Sequence, residues 1–216
     1  MTPNRKRRRL TAILLAVIMI ISCLPASLTA EEGNVSVTPW TPPKGILTDY
    51  TIVAEDNAQI SFDVESGAAS VIYISSGVVT LSTQKKTNER IVINGNASVI
   101  LDGVTIEAEG GPAIEIEPGC SATLVLEGTN NVSVTSGQFA AVEPIWNEAK
   151  KTGATLTITG SGSLTANGGS NSAAIGGSYS RNVHGNIIIA LDNGTITANG
   201  GSDSAGIGTS ATPGGS

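Results

Sequence analysis

The chain has 216 residues, a formal net charge of −6, 26 glycines, 14 % charged residues and only 3 % aromatic residues. So few rings argue against a wide sandwich core, and the acidic balance disfavours nucleic acid, whose phosphates need clustered Lys and Arg. Val, Ile, Leu and Ala are enough to fill a narrow, stacked interior.

In chain order, Arg5, Lys6, Arg7, Arg8 and Arg9 open the sequence, Leu10 to Ile21 is a nearly continuous apolar run, and small residues follow around Ser27 to Ala30. Residues 1–30 therefore read as a secretory signal peptide cut before Glu31. The apolar run is short for a membrane span and no stop-transfer segment follows, so no span is expected after cleavage. Ile20-Ile21-Ser22-Cys23 is a loose lipobox, which leaves a lipoprotein anchored through Cys23 as the alternative, and the arginine run hints at twin-arginine export. Either way the expected location is extracellular or at the cell surface. Cleavage leaves seven Lys and Arg against eighteen Asp and Glu, a net charge of −11, and Cys120 as the sole thiol, so no intramolecular disulfide can form. An acidic surface of this kind suits cations, neutral glycans or plain solubility.

Residues 31–46, with Pro39, Pro42, Pro43 and Trp40, read as an extended Pro-rich linker. Residues 47–216 are expected to form one β domain, with Tyr50 to Val64 either its first rung or a cap on its end. Short strand-like runs bounded by Gly, Asn, Asp and Ser then recur: SVIYISSG from Ser70, SVILDG from Ser98, TLVLEG from Thr123, TLTITG from Thr155 and IIIALDNG from Ile187.

The last two belong to a clear repeat. GATLTITGSGSLTANGGSNSAAIGGS (Gly153 to Ser178) aligns without a gap on GNIIIALDNGTITANGGSDSAGIGTS (Gly185 to Ser210), an offset of 32 residues. Upstream, TIEAEGGPAI (Thr105 to Ile114) matches TITANGGSDSAGI (Thr195 to Ile207) with a three-residue contraction, and VSVTSGQFAAV (Val132 to Val142) fills the slot between them. Successive copies lie roughly 25–32 residues apart, each holding three short strands, and a fixed period in this range signals a stacked architecture. The predicted fold is all-β: a right-handed parallel β-helix, or β-solenoid, of roughly five coils, about 25 Å long at the ordinary strand spacing. The second clean copy stops before its coil-closing loop, so the C-terminal end is expected to be truncated.

Equivalent residues should then stack in ladders, Asn167 under Asn199 and Gly168-Gly169 under Gly200-Gly201. The asparagines would hydrogen-bond along the axis, and the glycines would supply positive-φ bends at a corner.

On the residues GGS-x-S-A-[AG]-I-G, TITANGG and GNIIIALDNG, the chain resembles the secreted carbohydrate-binding β-helix proteins of Gram-positive, mostly clostridial, bacteria, which share a fold with pectate lyases. The similarity covers roughly Ser70 to Ser216 and implies binding of plant cell-wall polysaccharides, and of calcium, without an established lyase site. No ligand residue maps position by position.

Superposing FAAVEPIWNEAKKTG (Phe139 to Gly153) on SAAIGGSYSRNVHG (Ser172 to Gly185) puts Trp146 and Tyr179 at one corner of adjacent coils. Two rings in register are a platform for sugar C–H faces, with Asn147, Glu148, Arg181, Asn182 and His184 available to hydroxyl groups. The competing reading is structural: the rings close the corner and Glu148 pairs with Arg181. Glu107 and Glu109, like Glu115 and Glu117, alternate with apolar residues and so face outward. They are either a solvated face that discourages strand pairing or, with Asp203, ligands for Ca²⁺, which wants six to eight oxygens. Asp203 and Asn171 share one slot of the repeat.

The favoured function is a non-catalytic module for extracellular polysaccharide, pectin or cellulose. A structural stalk or adhesin segment of a larger surface protein is the alternative. A pectate-lyase-like enzyme ranks third, because Arg90 and Arg181 fall in different loops and His184 has no nucleophile motif beside it.

Overall fold

The computed structural model describes residues 37–44, 48–55, 57–65, 68–181 and 183–210, and every regular element among them is a β-strand. The predicted signal peptide, Cys23 and Asn182 lie outside the described residues.

An antiparallel cap opens the fold. It comprises β1 (Val37–Trp40), β2 (Tyr50–Glu55) and β3 (Gln59–Glu65), with β2 and β3 both laid against β4 (Ala68–Thr83). Gly77, at φ +86°, breaks β4 into two halves, the first pairing with β3 and the second with β2. Residues 50–55 and 59–65 thus pair antiparallel with β4, unlike the strands that follow. Val37–Trp40, assigned from the sequence to the linker, is instead an edge strand, where Pro39 is tolerated because an edge need not donate every amide. Trp40 and Phe62 form a tilted ring pair with centroids 5.5 Å apart and pack on the end of the core.

From β4 onward the strands pair in parallel. They are β5 (Arg90–Asp102), β6 (Thr105–Glu109), β7 (Ile114–Ile116), β8 (Ser121–Glu127), β9 (Thr129–Ser136), β10 (Val142–Pro144), β13 (Thr155–Gly160), β14 (Ser163–Asn167), β15 (Ile175–Gly176), β16 (Asn186–Leu191), β17 (Thr195–Asn199) and β18 (Ile207–Gly208). A small antiparallel pair, β11 (Trp146–Asn147) and β12 (Thr152–Gly153), interrupts them. Three stacks result. The second half of β4 and of β5 is followed by β8, β13 and β16; β6 by β9, β14 and β17; the first half of β4 and of β5 by β7, β10, β15 and β18. From β5 to β17 each pass of the chain adds one strand to every stack; the β4 pass meets the second stack only through the isolated Thr87–Ile106 bridge.

Val79, Val99, Leu124, Ile158 and Ile189 share one position of the first stack, so successive passes take 20, 25, 34 and 31 residues. The spread is wider than the 25–32 expected from the sequence. Period-two alternation sends such residues inward, and Val79, Val99, Leu124 and Ile158 are all 0 % exposed. Each fully buried aliphatic side chain of this size contributes about 1.5–3 kcal/mol of transfer free energy.

Two sequence registers shift. Leu156 lies beside Ile187 rather than Ile188, because the turn after β16 is one residue longer than the turn after β13; the offset of 32 is restored by β14 and β17. Thr105 falls in the row of Asn131, Thr165 and Thr197, two residues from the expected match at Thr195. The row Ile114, Val142, Ile175 and Ile207 matches expectation.

Candidate functional site

Where the second stack hands over to the third, Asn167 and Asn199 form the expected ladder. Asn199 Nδ2 donates to Asn167 Oδ1 at 2.8 Å, and Asn167 Nδ2 donates to Ser133 Oγ at 2.8 Å. The stacked glycines beside them have a different cause from the one expected. None of Gly168, Gly169, Gly200 and Gly201 has a positive φ; the left-handed residues of the corner are Asn171 (φ 55°) and Asp203 (φ 56°). The glycines are required by close approach: a Cβ on Gly169 would lie 2.5 Å from Gly137 O, and one on Gly201 would lie 2.0 Å from Gly169 O.

Without side chains there, the surface sinks into a groove of about 270 Å³, lined by residues 134–137, 168–170 and 201–202. Its rim carries the hydroxyls of Ser136, Ser170 and Ser202, one from each of three successive passes. The amides of the floor are already engaged, Gly169 N to Phe139 O and Gly201 N to Ser172 O, so the groove offers mainly hydroxyls and carbonyls to a ligand.

The turn 178–181 is tied to residues 138 and 172, which lie close to the groove lining in sequence. Its closing bond runs from Arg181 N to Ser178 O at 2.9 Å. Tyr179 N donates to Gln138 O at 3.3 Å and to Ser172 Oγ at 3.1 Å, next to groove residues Gly137 and Ser170, and its side chain is half-buried. Beneath the turn lies a charged cluster that sequence reading missed. Glu143 is 1 % exposed, and its Oε2 accepts from Ser178 Oγ at 2.6 Å; that hydroxyl in turn accepts from Ala140 N at 2.9 Å. Arg181 Nε stands 3.5 Å from Glu143 Oε1. Burial pushes the Glu143 carboxyl above its ordinary range, against the Ser178 hydroxyl and the Arg181 charge, which favour ionisation. The neighbouring row position holds Glu115, paired with Arg90 at 3.0 Å. A signal for this cluster exists in the sequence, since Glu115 and Glu143 follow the aligned Ile114 and Val142, but their arginines come from elsewhere in the chain.

Trp146 and Tyr179 do not form the predicted platform. Trp146 sits on the β11–β12 hairpin, where a Cβ on Gly153 would lie 2.7 Å from its ring, whereas Tyr179 is tied to residues 138 and 172. Among the described residues the ring pair is Trp40–Phe62, and Trp146 and Tyr179 make none. The expected Glu148–Arg181 pair is also absent. Glu148 Oε2 accepts from Trp146 Nε1 at 2.7 Å and its other oxygen binds Lys151, which together hold its carboxyl below the ordinary range. Asn147 Oδ1 accepts from Lys150 N at 2.9 Å. His184 bridges Ile145 and donates from Nδ1 to Gly185 O at 2.6 Å. Of the predicted glycan contacts, Trp146, Asn147 and Glu148 thus gather on one hairpin, Tyr179 and Arg181 on a separate turn, and His184 pairs with Ile145.

The proposed calcium ligands are not brought together. Glu107 pairs with Lys86 at 2.8 Å and Glu109 is exposed on the same edge strand β6, whereas Asp203 follows β17 at the opposite edge of that sheet. Among the described residues no group of three or more His, Cys, Asp or Glu side chains is placed to hold a metal ion. Asp203 is explained by its left-handed turn, a conformation that Asn and Asp tolerate better than most residues. No helix among the described residues is long and apolar enough to cross a membrane. No family model, curated protein or solved structure matches the chain.

Proposed function

We propose that the chain is a right-handed parallel β-helix, secreted or held at the cell surface, that binds extracellular polysaccharide without catalysing its cleavage. The observation that carries this reading is the hydroxyl-rimmed, glycine-floored groove across three successive passes, with the Tyr179 backbone tied to residues 138 and 172 that lie close to its lining in sequence. A groove that repeats at the strand spacing suits an extended polymer better than a compact metabolite, and its polar rim suits sugar hydroxyls. The resemblance of the GGS-x-S-A-[AG]-I-G repeat to carbohydrate-binding β-helix proteins points the same way. The three-stack pairing supports the β-helix assignment.

Depletion from solution by insoluble cellulose and by calcium-crosslinked pectin tests the reading. Tyr179→Ala combined with Ser170→Arg, which crowds the groove from its exposed rim, is expected to abolish retention; Trp146→Ala is expected to leave it. Retention by no polysaccharide removes the proposal. A stalk or adhesin segment is the second reading, favoured by Ile188, Ile189 and Ile207, which β16 and β18 leave more than two-fifths exposed. It predicts concentration-dependent self-association in sedimentation and indifference to glycans.

A further inference from the structure

Glu143 carries more than structural interest, because of what it holds. It contributes a carboxylate with almost no water contact, and its ionised form is satisfied by a single turn of chain. The Ser178 hydroxyl and backbone amide and the Arg181 guanidinium all come from residues 178–181. The elements packed against it bring few other charges. On β7 stands Glu115, whose own arginine, Arg90, is bonded to it and to Pro112 O; on β15 the neighbouring position is Gly176, which brings none. The turn itself adds Tyr179 and Arg181, and His184 follows it, engaged with Gly185 O. Glu143 therefore faces one cation, Arg181, and one like charge, Glu115, which is already neutralised from its far side.

We propose that Glu143 is a pH-operated latch: ionised, it pins the turn 178–181, with Tyr179, against residues 138–143; protonated, it frees Arg181 to solvent and lets the turn lift. Arg181 is suited to this role, since its side chain is 37 % exposed and loses nothing by turning to water once its partner is neutral. The remaining ties of the turn are the Tyr179 amide bonds to Gln138 O and Ser172 Oγ and the Ala140–Ser178 bond, all to neutral groups. Charge-assisted bonds are roughly twice as strong as neutral ones, so removing the charge removes the largest share of the hold. Burial and the Glu115 charge favour the protonated form, so the turn is released above the pH at which an exposed glutamate titrates. The latch is independent of what the groove binds; if the groove takes glycans, Tyr179 couples their retention to pH.

The test uses the whole chain. In ¹H–¹⁵N spectra recorded from pH 7.5 to 4.5, the amides of Ala140 and Tyr179 and the Nε–H of Arg181 are expected to titrate together, with a midpoint above the ordinary glutamate range. Glu143→Gln, a permanent mimic of the neutral acid, is expected to abolish that titration. It should also make chymotryptic cleavage after Tyr179 about tenfold faster at pH 7.5, while the amides of β8 and β13 keep their shifts. Titration that persists in Glu143→Gln, or a turn equally protected in both proteins, overturns the latch. If Glu143→Gln does not fold, Arg181→Gln decides: it keeps the carboxylate, and the proposal requires faster cleavage after Tyr179 and a still higher midpoint at Ala140. An unchanged midpoint refutes it.

Discussion

Asn130 is the sharpest test of how the passes of the chain are held together. It sits in an inward row between Val104 and Leu164, both apolar and buried, and is itself 0 % exposed. Its amide bonds three successive passes at once: Oδ1 accepts from Val104 N at 2.9 Å, and Nδ2 donates to Glu127 O at 2.8 Å and to Ser163 O at 3.2 Å. Asn130→Ala removes all three bonds, and the loss of a buried hydrogen-bond partner costs about 1–3 kcal/mol where water cannot reach. The 3.2 Å bond is the weakest of the three, so the expected loss is about 3–4 kcal/mol, a large share of the 5–15 kcal/mol typical of a whole domain. Asn131→Ala, the adjacent outward and exposed residue, should change stability by no more than about 0.5 kcal/mol. Urea unfolding followed by circular dichroism, with m checked for constancy, measures both. Asn130→Asp adds a discriminating sign. It keeps an acceptor for Val104 N but buries a charge facing two carbonyls, so it should cost more than Ala at pH 7 and recover as the pH falls and the acid becomes a donor. A loss below about 1 kcal/mol for Asn130→Ala, or an equal loss for Asn131→Ala, would refute the inward placement of this residue.

Gly201→Ala, which puts a methyl 2.0 Å from Gly169 O, should cost about 1–3 kcal/mol in the same unfolding assay; a neutral result would mean the stacked passes are not this close. Glu89 is 4 % exposed and holds the cap through Thr48 Oγ1 (2.6 Å) and Asp49 N (2.7 Å), yet burial raises its pKa above the ordinary 4.5. The native state therefore binds this proton more tightly than the unfolded chain, and stability should rise as the pH falls from 7 toward 4.5. Asp49, held below its ordinary 3.8 by Lys85, opposes this only at lower pH. Thermal melts at pH 7 and pH 5 should show a smaller gain for Glu89→Gln, and an identical gain would exclude Glu89 as the source. Incubation with pectate and calcium is expected to yield no ultraviolet-absorbing unsaturated product, and its appearance would replace the binding reading with a lyase.

What the sequence revealed follows from how it encodes position. The row Ile114, Val142, Ile175 and Ile207 was legible because each follows a small residue, Ala113, Ala141, Ala174 or Gly206, at the end of a recurring stretch. The two-residue slip at Thr105 was not, because strand side chains alternate with period two and a shift of two leaves every inward residue inward. The one-residue slip at Ile187 escaped for the opposite reason. Ile187, Ile188 and Ile189 are all apolar, so alternation is silent, and only the extra residue in the turn Asp192-Asn193-Gly194 betrays it. Asn130 and Glu143 were hidden because their partners on other passes lie 26 to 38 residues away, across passes of unequal length. The edge strand Val37–Trp40 was masked by Pro39, which reads as linker wherever pairing cannot be seen.

The corner that forms the groove also limits how it can be altered. Its floor is glycine because each pass lies directly on the backbone of the one before, Gly201 against Gly169 and Gly169 against Gly137. A side chain on the floor therefore destabilises the stack before it can touch a ligand. Variation that changes recognition is confined to the exposed rim, Ser136, Ser170 and Ser202, and to the turn that carries Tyr179. The rim is built on the strands and their tight connections and moves only with them. The turn belongs to the longer connection between β15 and β16, and its charged tie to the stack runs through Glu143. If the groove takes glycans and Glu143 is the latch proposed, adjustable recognition at this corner concentrates in this turn, and the protonation of Glu143 is the point at which solution conditions reach the groove.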